Sequence, residues 1–214
     1  EVLDSAVLAE HYAIFREAEK VIADPIVRNK GTVGGSMCQA DPSEDLSAVG
    51  SALKGTVIIQ SATGRRVVPI REFHQGPYET QVGDGEILTE VHFPIRPGAG
   101  SAYEKVERRV GDWPVASVGA YVVVTNGIVT DCGIGMTALS AEHFCAPEAE
   151  AFLIGKEPTE ENLAAAGQLA ADSCDPTGDQ RGPADYKRHL AKELTIRALR
   201  RSASASQLAA SQGA

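Results

Sequence analysis

The chain has 214 residues, 43% hydrophobic and 23% charged, with a formal net charge of -9. That is an ordinary globular balance, long enough for one large domain or two small ones. The acidic surplus argues against a nucleic-acid surface, which needs a basic face, and no apolar run approaches the roughly 20 residues of a membrane span.

The opening Glu1-Val2-Leu3-Asp4 lacks the charged and apolar regions of a signal peptide. With no initiator Met, the chain is expected to begin inside a longer product. Residues 5–22 read as one helix, with Leu8, Tyr12, Phe15 and Ile22 near one face; Asp24-Pro25 ends it. A glycine-bearing loop spans 28–36. A second helix runs from Ser43 to Leu53, opened by Asp41-Pro42-Ser43 and closed by Gly55. Short strands follow: Thr56 to Gln60, Arg66 to Ile70 after the Thr63-Gly64 turn, Leu88 to Phe93 before Pro94, and Ala102 to Val106. Ser117 to Thr125 and Ile128 to Thr137 flank Asn126-Gly127, a strong hairpin signal. From Pro147 the pattern is helical: Glu148 to Leu153, a helix capped by Thr159 through Ala171, and Ala184 to Arg201. The Ser/Ala/Gln/Gly-rich residues 202–214 read as a frayed tail. The order of elements predicts an α+β fold in two parts, 1–97 and 98–201.

Cys38, Cys132, Cys145 and Cys174 are irregularly spaced and form no CxxC, which argues against an iron–sulfur cluster or structural zinc in this chain. The five histidines form no HxH or HExxH. Neither a metal site nor a Ser-His-Asp arrangement is expected, and no residue is assigned a catalytic role.

The segment Ile26-Val27-Arg28-Asn29-Lys30-Gly31-Thr32-Val33-Gly34-Gly35-Ser36 carries the chemistry. Two adjacent glycines let backbone N–H groups approach an anion closely, and Thr32 and Ser36 add hydroxyls; the set suits a diphosphate. Asp45, on the following helix, can accept from sugar or ribityl hydroxyls. Glycines chosen for a tight turn would give the same pattern. The segment is neither a Walker loop nor a Rossmann fingerprint, having no GK[ST], no GxGxxG and no preceding strand.

The run Arg28 to Ser36, with Ala40-Asp41-Pro42-Ser43-Glu44-Asp45-Leu46, resembles the second FAD-binding segment of the flavoprotein (medium) subunits of molybdenum hydroxylases. These include the carbon monoxide dehydrogenase type and the equivalent domain of xanthine dehydrogenases. Gly85 to Pro94, Tyr103 to Trp113 and Asp185 to Leu190 agree with that family in order and spacing. The resemblance covers roughly residues 12–201.

The resemblance implies the family's FAD-binding fold, with residues 1–97 as an incomplete second FAD-binding subdomain and 98–201 as a subdomain of antiparallel sheet plus helices. The family's amino-terminal subdomain, with its first glycine-rich phosphate loop, is missing from the chain. FAD is expected between the subdomains, with Thr32, Val33, Gly34, Gly35 and Ser36 at the pyrophosphate and Asp45 at a hydroxyl. Ile22 and Ile87 or Leu88 would lie along the cofactor, and Lys105 near the flavin, where a cation favours the anionic reduced form. Ile22, Ile87 and Leu88 read equally as core, and Lys105 as a solvated strand charge. Arg108 and Arg109 suit salt bridges, and Trp113 a ring cover or an interface seal.

The family role implied is electron transfer: from a large subunit with a molybdenum–molybdopterin cofactor, through two [2Fe–2S] clusters in a small subunit, to FAD here. The expected assembly is a dimer of three-subunit units in the cytoplasm, meeting the inner membrane face through its acceptor. Carbon monoxide is the favoured substrate, with heterocycles, purines and aldehydes open, and the acceptor is quinone, NAD or oxygen. The alternatives are a free-standing flavin oxidoreductase and a scaffold that has lost FAD.

Overall fold

A computed structural model describes residues 1–212 of the chain. The amino-terminal helical stretch is two helices: α1 (Ala6–His11) and α2 (Ala13–Val21). They break at Tyr12 (φ -145°, ψ 70°), although the apolar period runs through. The break buries the Tyr12 ring, whose hydroxyl donates to the Phe93 carbonyl at 2.8 Å. Ser101 Oγ takes the Ile14 amide that loses its helical partner, at 3.1 Å, so the buried N–H stays satisfied.

Two short helices follow where a loop is expected. α3 (Pro25–Arg28) is capped by Asp24, whose carboxylate accepts from the Ile26 and Val27 amides. α4 (Val33–Gln39) contains both glycines of the motif in its first turn. α5 (Asp45–Ala52) begins two residues later than Ser43, because Glu44 supplies the cap; Asp41 instead closes the preceding turn by accepting from the Ser43 amide at 2.9 Å.

The chain next builds a small antiparallel sheet, β2-β1-β5, from β1 (Thr56–Ser61), β2 (Gly64–Pro69) and β5 (Ile87–His92). Between β2 and β5 lie α6 (Ile70–Phe73) and the ribbon of β3 (His74–Gly76) and β4 (Glu79–Thr80), which the sequence pattern does not announce.

The second sheet, β6-β7-β8, consists of β6 (Ala99–Val106), β7 (Ala116–Thr125) and β8 (Ile128–Thr137). Asn126 and Gly127 both have positive φ (52° and 82°), as a two-residue hairpin turn of the primed type requires. Both faces of β7 are buried. Val118, Ala120 and Val122 face α9 (Ala184–Gln212), in one buried cluster with residues of α7 (Pro147–Leu153) and α8 (Glu160–Asp172). Tyr121, on the other face, packs with α2 and α5. α5 lies directly on β8, because a Cβ at Gly135 would stand 1.8 Å from the Ala48 carbonyl oxygen.

α9 does not fray at residue 202 but continues to Gln212. Ser202, Ala203 and Ser206 are buried; Ser206 Oγ donates to the Gly98 carbonyl at 2.6 Å and accepts from the Val124 amide at 2.9 Å. No described helix is long and apolar enough to cross a membrane.

Candidate FAD site

The first turn of α4 is prepared by its cap. Thr32 is extended, and its Oγ1 accepts from the Gly35 amide at 3.0 Å, a side-chain cap of the usual kind. A Cβ on Gly35 would stand 2.8 Å from that oxygen, and one on Gly34 would stand 3.1 Å from Leu88 Cδ2. The glycines therefore let the cap fold over the turn and let α4 seat against β5. As the first helical residues, Val33 and Gly34 have amides without a helical acceptor. Thr32 and Gly35 are exposed; Val33, Gly34 and Ser36 are half-buried.

Behind this turn stands a buried carboxyl. Glu44 accepts from the Leu46 amide at 2.8 Å and the Ser47 amide at 2.5 Å, and from the Ser36 hydroxyl. Burial pushes its pKa up, against the pull of these donors. The far end of α4 is held by His74, whose Nε2 lies 3.0 Å from the Met37 carbonyl oxygen and 3.3 Å from Ser47 Oγ. Burial lowers the pKa of this imidazole, and its ring meets Phe73 and Phe144 edge-on.

Asp45 and Lys105 face each other. Lys105 Nζ lies 3.0 Å from Asp45 Oδ2, with side chains 3% and 6% exposed; it also donates to the Val21 carbonyl at 2.9 Å. Asp45 Oδ1 accepts from the Tyr103 hydroxyl at 2.6 Å and from Ser117 Oγ at 3.3 Å. Burial pushes the Asp45 carboxyl up, opposed chiefly by the Lys105 charge. Glu107 sits 3.6 Å from Lys105, so Lys105 is neither a solvated strand charge nor an unpaired cation. Asp45 likewise has both oxygens engaged.

The other expected residues divide. Leu88 touches the glycine turn, whereas Ile87 is 64% exposed. Ile22 follows α2 directly, packs with the same cluster as Val33, and accepts from Arg28 Nη1 at 2.5 Å. Arg108 pairs with Asp112 at 3.4 Å. Trp113 lines a cleft of about 240 Å³ with Asp41, Pro42, Ser43, Tyr78 and Arg181. The sequence reading misses Glu44, Tyr103, Ser117 and Glu107. One signal could have found the tyrosine, because Tyr103 and Lys105 share a face by strand alternation; Ser117 is placed only by the sheet, as the register partner of Lys105. Among the described residues no group of three or more His, Cys, Asp or Glu could hold a metal, and the cysteines are unpaired thiols.

Residues 1–96 match the FAD binding domain in molybdopterin dehydrogenase, and residues 101–202 the CO dehydrogenase flavoprotein C-terminal domain. The carbon monoxide dehydrogenase medium chain of Afipia carboxidovorans is 34% identical over 94% of this chain and 70% of its own length. The glyceraldehyde dehydrogenase medium chain of Sulfolobus acidocaldarius is 31% identical over 94% of this chain and 71% of its own. The solved carbon monoxide dehydrogenase of Hydrogenophaga pseudoflava superposes with a TM-score of 0.91 at 35% identity, over 95% of this chain and 71% of that one.

The chain belongs to the flavoprotein medium subunits of the molybdenum hydroxylases. As a medium subunit it is an FAD-binding oxidoreductase component. The residues present fit the cofactor. The turn at 33–35 offers the Val33 and Gly34 amides, with no side chain at Gly34 or Gly35 to block a close approach, the chemistry a diphosphate needs. Arg28 and Lys30 stand just ahead of it in the chain, and the nearby carboxylates of Glu44 and Asp45 are turned to donors of the protein.

Proposed function

We propose that this medium subunit carries FAD as the electron-transfer component of a molybdenum hydroxylase, between subdomains 1–97 and 98–201. FAD, when bound, relays electrons from the [2Fe–2S] clusters of a small subunit to an external acceptor, downstream of a molybdenum–molybdopterin centre in a large subunit. The task of this chain is to bind and orient the cofactor, so no side chain need act as a general acid or base. The segment Thr32–Ser36 would face the diphosphate, and Val33 and Leu88 would give the turn its apolar backing. The Asp45–Lys105 pair would sit behind as a fixed dipole. The substrate is chosen in the large subunit: relatives named for glyceraldehyde, carbon monoxide and nicotine align at 31 to 34% identity. A dimer of three-subunit units completes the reading.

The carrying observation is the pair of adjacent glycines in the first turn of α4, in a chain whose residues 1–96 match an FAD-binding domain. Purification of the native assembly tests it. Flavin absorption is expected with molybdenum and iron in the same fraction; a colourless, metal-free protein would contradict this role. Within that assembly, Gly35→Asp should abolish FAD retention, because the carboxylate both displaces the Thr32 cap and repels the diphosphate. Gly35→Ala should only weaken it. Full flavin content in the aspartate variant contradicts the placement.

A further inference from the structure

We infer that Ser36 serves the cofactor site through Glu44, as a positioning residue, and does not donate to the cofactor itself. The inference rests on the FAD reading above and reassigns one residue within it.

A serine hydroxyl has one proton to give. Here Ser36 gives it to Glu44 Oε1, leaving only lone pairs, which repel an anion. To turn toward a diphosphate, Ser36 would have to abandon a carboxyl that is 3% exposed and whose other partners include the amides of Leu46 and Ser47. A buried carboxyl stripped of a donor is costly, so the hydroxyl stays where it is. The pairing has a geometric consequence. Glu44 is at once the cap of α5 and the acceptor for α4, so one carboxyl fixes the glycine turn relative to α5 and to the sheet beneath. A helix of seven residues does not hold its own pose in water. It relies on outside anchors: Leu88 at Gly34, Glu44 at Ser36, and His74 at the Met37 carbonyl. Of these, Ser36–Glu44 is the polar anchor within the first turn itself, and binding geometry has to be held to a fraction of an ångström.

Glu44→Asp separates the two duties. Aspartate is a good helix cap, but one methylene shorter, so it keeps α5 and loses its reach to Ser36. In the native complex freed of flavin, FAD affinity is measured by fluorescence titration for Ser36→Ala, Glu44→Asp and the double variant, beside Ser36→Thr. Each single change should loosen FAD about tenfold, and the pair no more than either alone, because both remove one shared contact. Ser36→Thr, which keeps the hydroxyl, should bind and melt as the parent does, whereas Ser36→Ala, which strips the buried carboxyl of a donor, should also lower the melting of the flavin-free complex. Effects that multiply to roughly a hundredfold would mean that Ser36 touches the cofactor directly, which overturns the inference, as does parental affinity in Glu44→Asp. A parent complex that takes up no FAD overturns the cofactor reading itself, a distinct outcome.

Discussion

Lys105 is the residue whose surroundings most change its meaning. A lysine beside Glu104 and Glu107 on a strand could be solvated, but this one is 3% exposed and locked to Asp45. Breaking a buried pair by removing one partner leaves an uncompensated charge, which typically costs about 3–5 kcal/mol. Lys105→Met should therefore destabilise the protein by that order at neutral pH. The pH dependence follows from Asp45, whose carboxyl burial already pushes above its ordinary value. Without Lys105 the shift grows. A carboxyl raised in the folded state contributes stability below its unfolded pKa, and this is lost as pH rises through the folded pKa. The melting temperature of Lys105→Met should fall from the ordinary carboxylate range upward more steeply than that of the parent, and Lys105→Met/Asp45→Asn should recover most of the loss. A variant that melts like the parent across that range contradicts a buried pair.

At the scale of elements, legibility tracked how locally each element is determined. The hairpin at Asn126-Gly127 was readable because its turn chemistry is complete in two residues. Thr32 to Ser36 was readable as a candidate site because its residues are contiguous, though not as a helix: two glycines are poor helix formers, and here packing on β5 and α5 overrides propensity. The break at Tyr12 was hidden because its cause, the Phe93 carbonyl, is 81 positions away. Glu44 was hidden because nothing local tells a cap from a surface charge. Residues 202–212 misled for a related reason. Small Ser and Ala side chains look like a solvated tail, yet they are what lets α9 lie on β6 at backbone distance. A Cβ at Gly100 would stand 2.0 Å from the Ser202 carbonyl oxygen and 2.6 Å from the Ser206 amide nitrogen. Backbone cannot swing aside as a long side chain can, so Gly100→Ala should cost about 3 kcal/mol, a fall in melting temperature of roughly 6 to 12 °C for a chain of this size. A melting curve that overlays the parent's would show that α9 is not seated there.

For the whole molecule, the question is what ties the small-sheet unit to the large sheet, since the cofactor turn belongs to the first and Lys105 to the second. Packing of α5 on β8 supplies the apolar part; Glu150 supplies a polar joint. Its side chain, 9% exposed, receives both Nη atoms of Arg71 from α6, at 3.0 and 2.5 Å, and the Ile134 amide of β8 at 2.7 Å. Lys54 approaches to 3.7 Å. One carboxylate on α7 thus joins three elements that are distant in sequence, and its bidentate geometry fixes orientation as well as distance. Glu150→Gln keeps the shape and removes the charge, so the Arg71 fork and the Ile134 amide compete for one remaining carbonyl oxygen. The expected loss is about 2 kcal/mol, read as a lower denaturation midpoint. Because the joint is buried, that loss should persist in high salt. Arg200→Gln, which breaks the exposed pair with Glu160, should shift the midpoint little in any salt. If the Glu150 effect instead vanished with added salt, the joint would be a surface ion pair, and the two sheets would be held together by apolar packing alone.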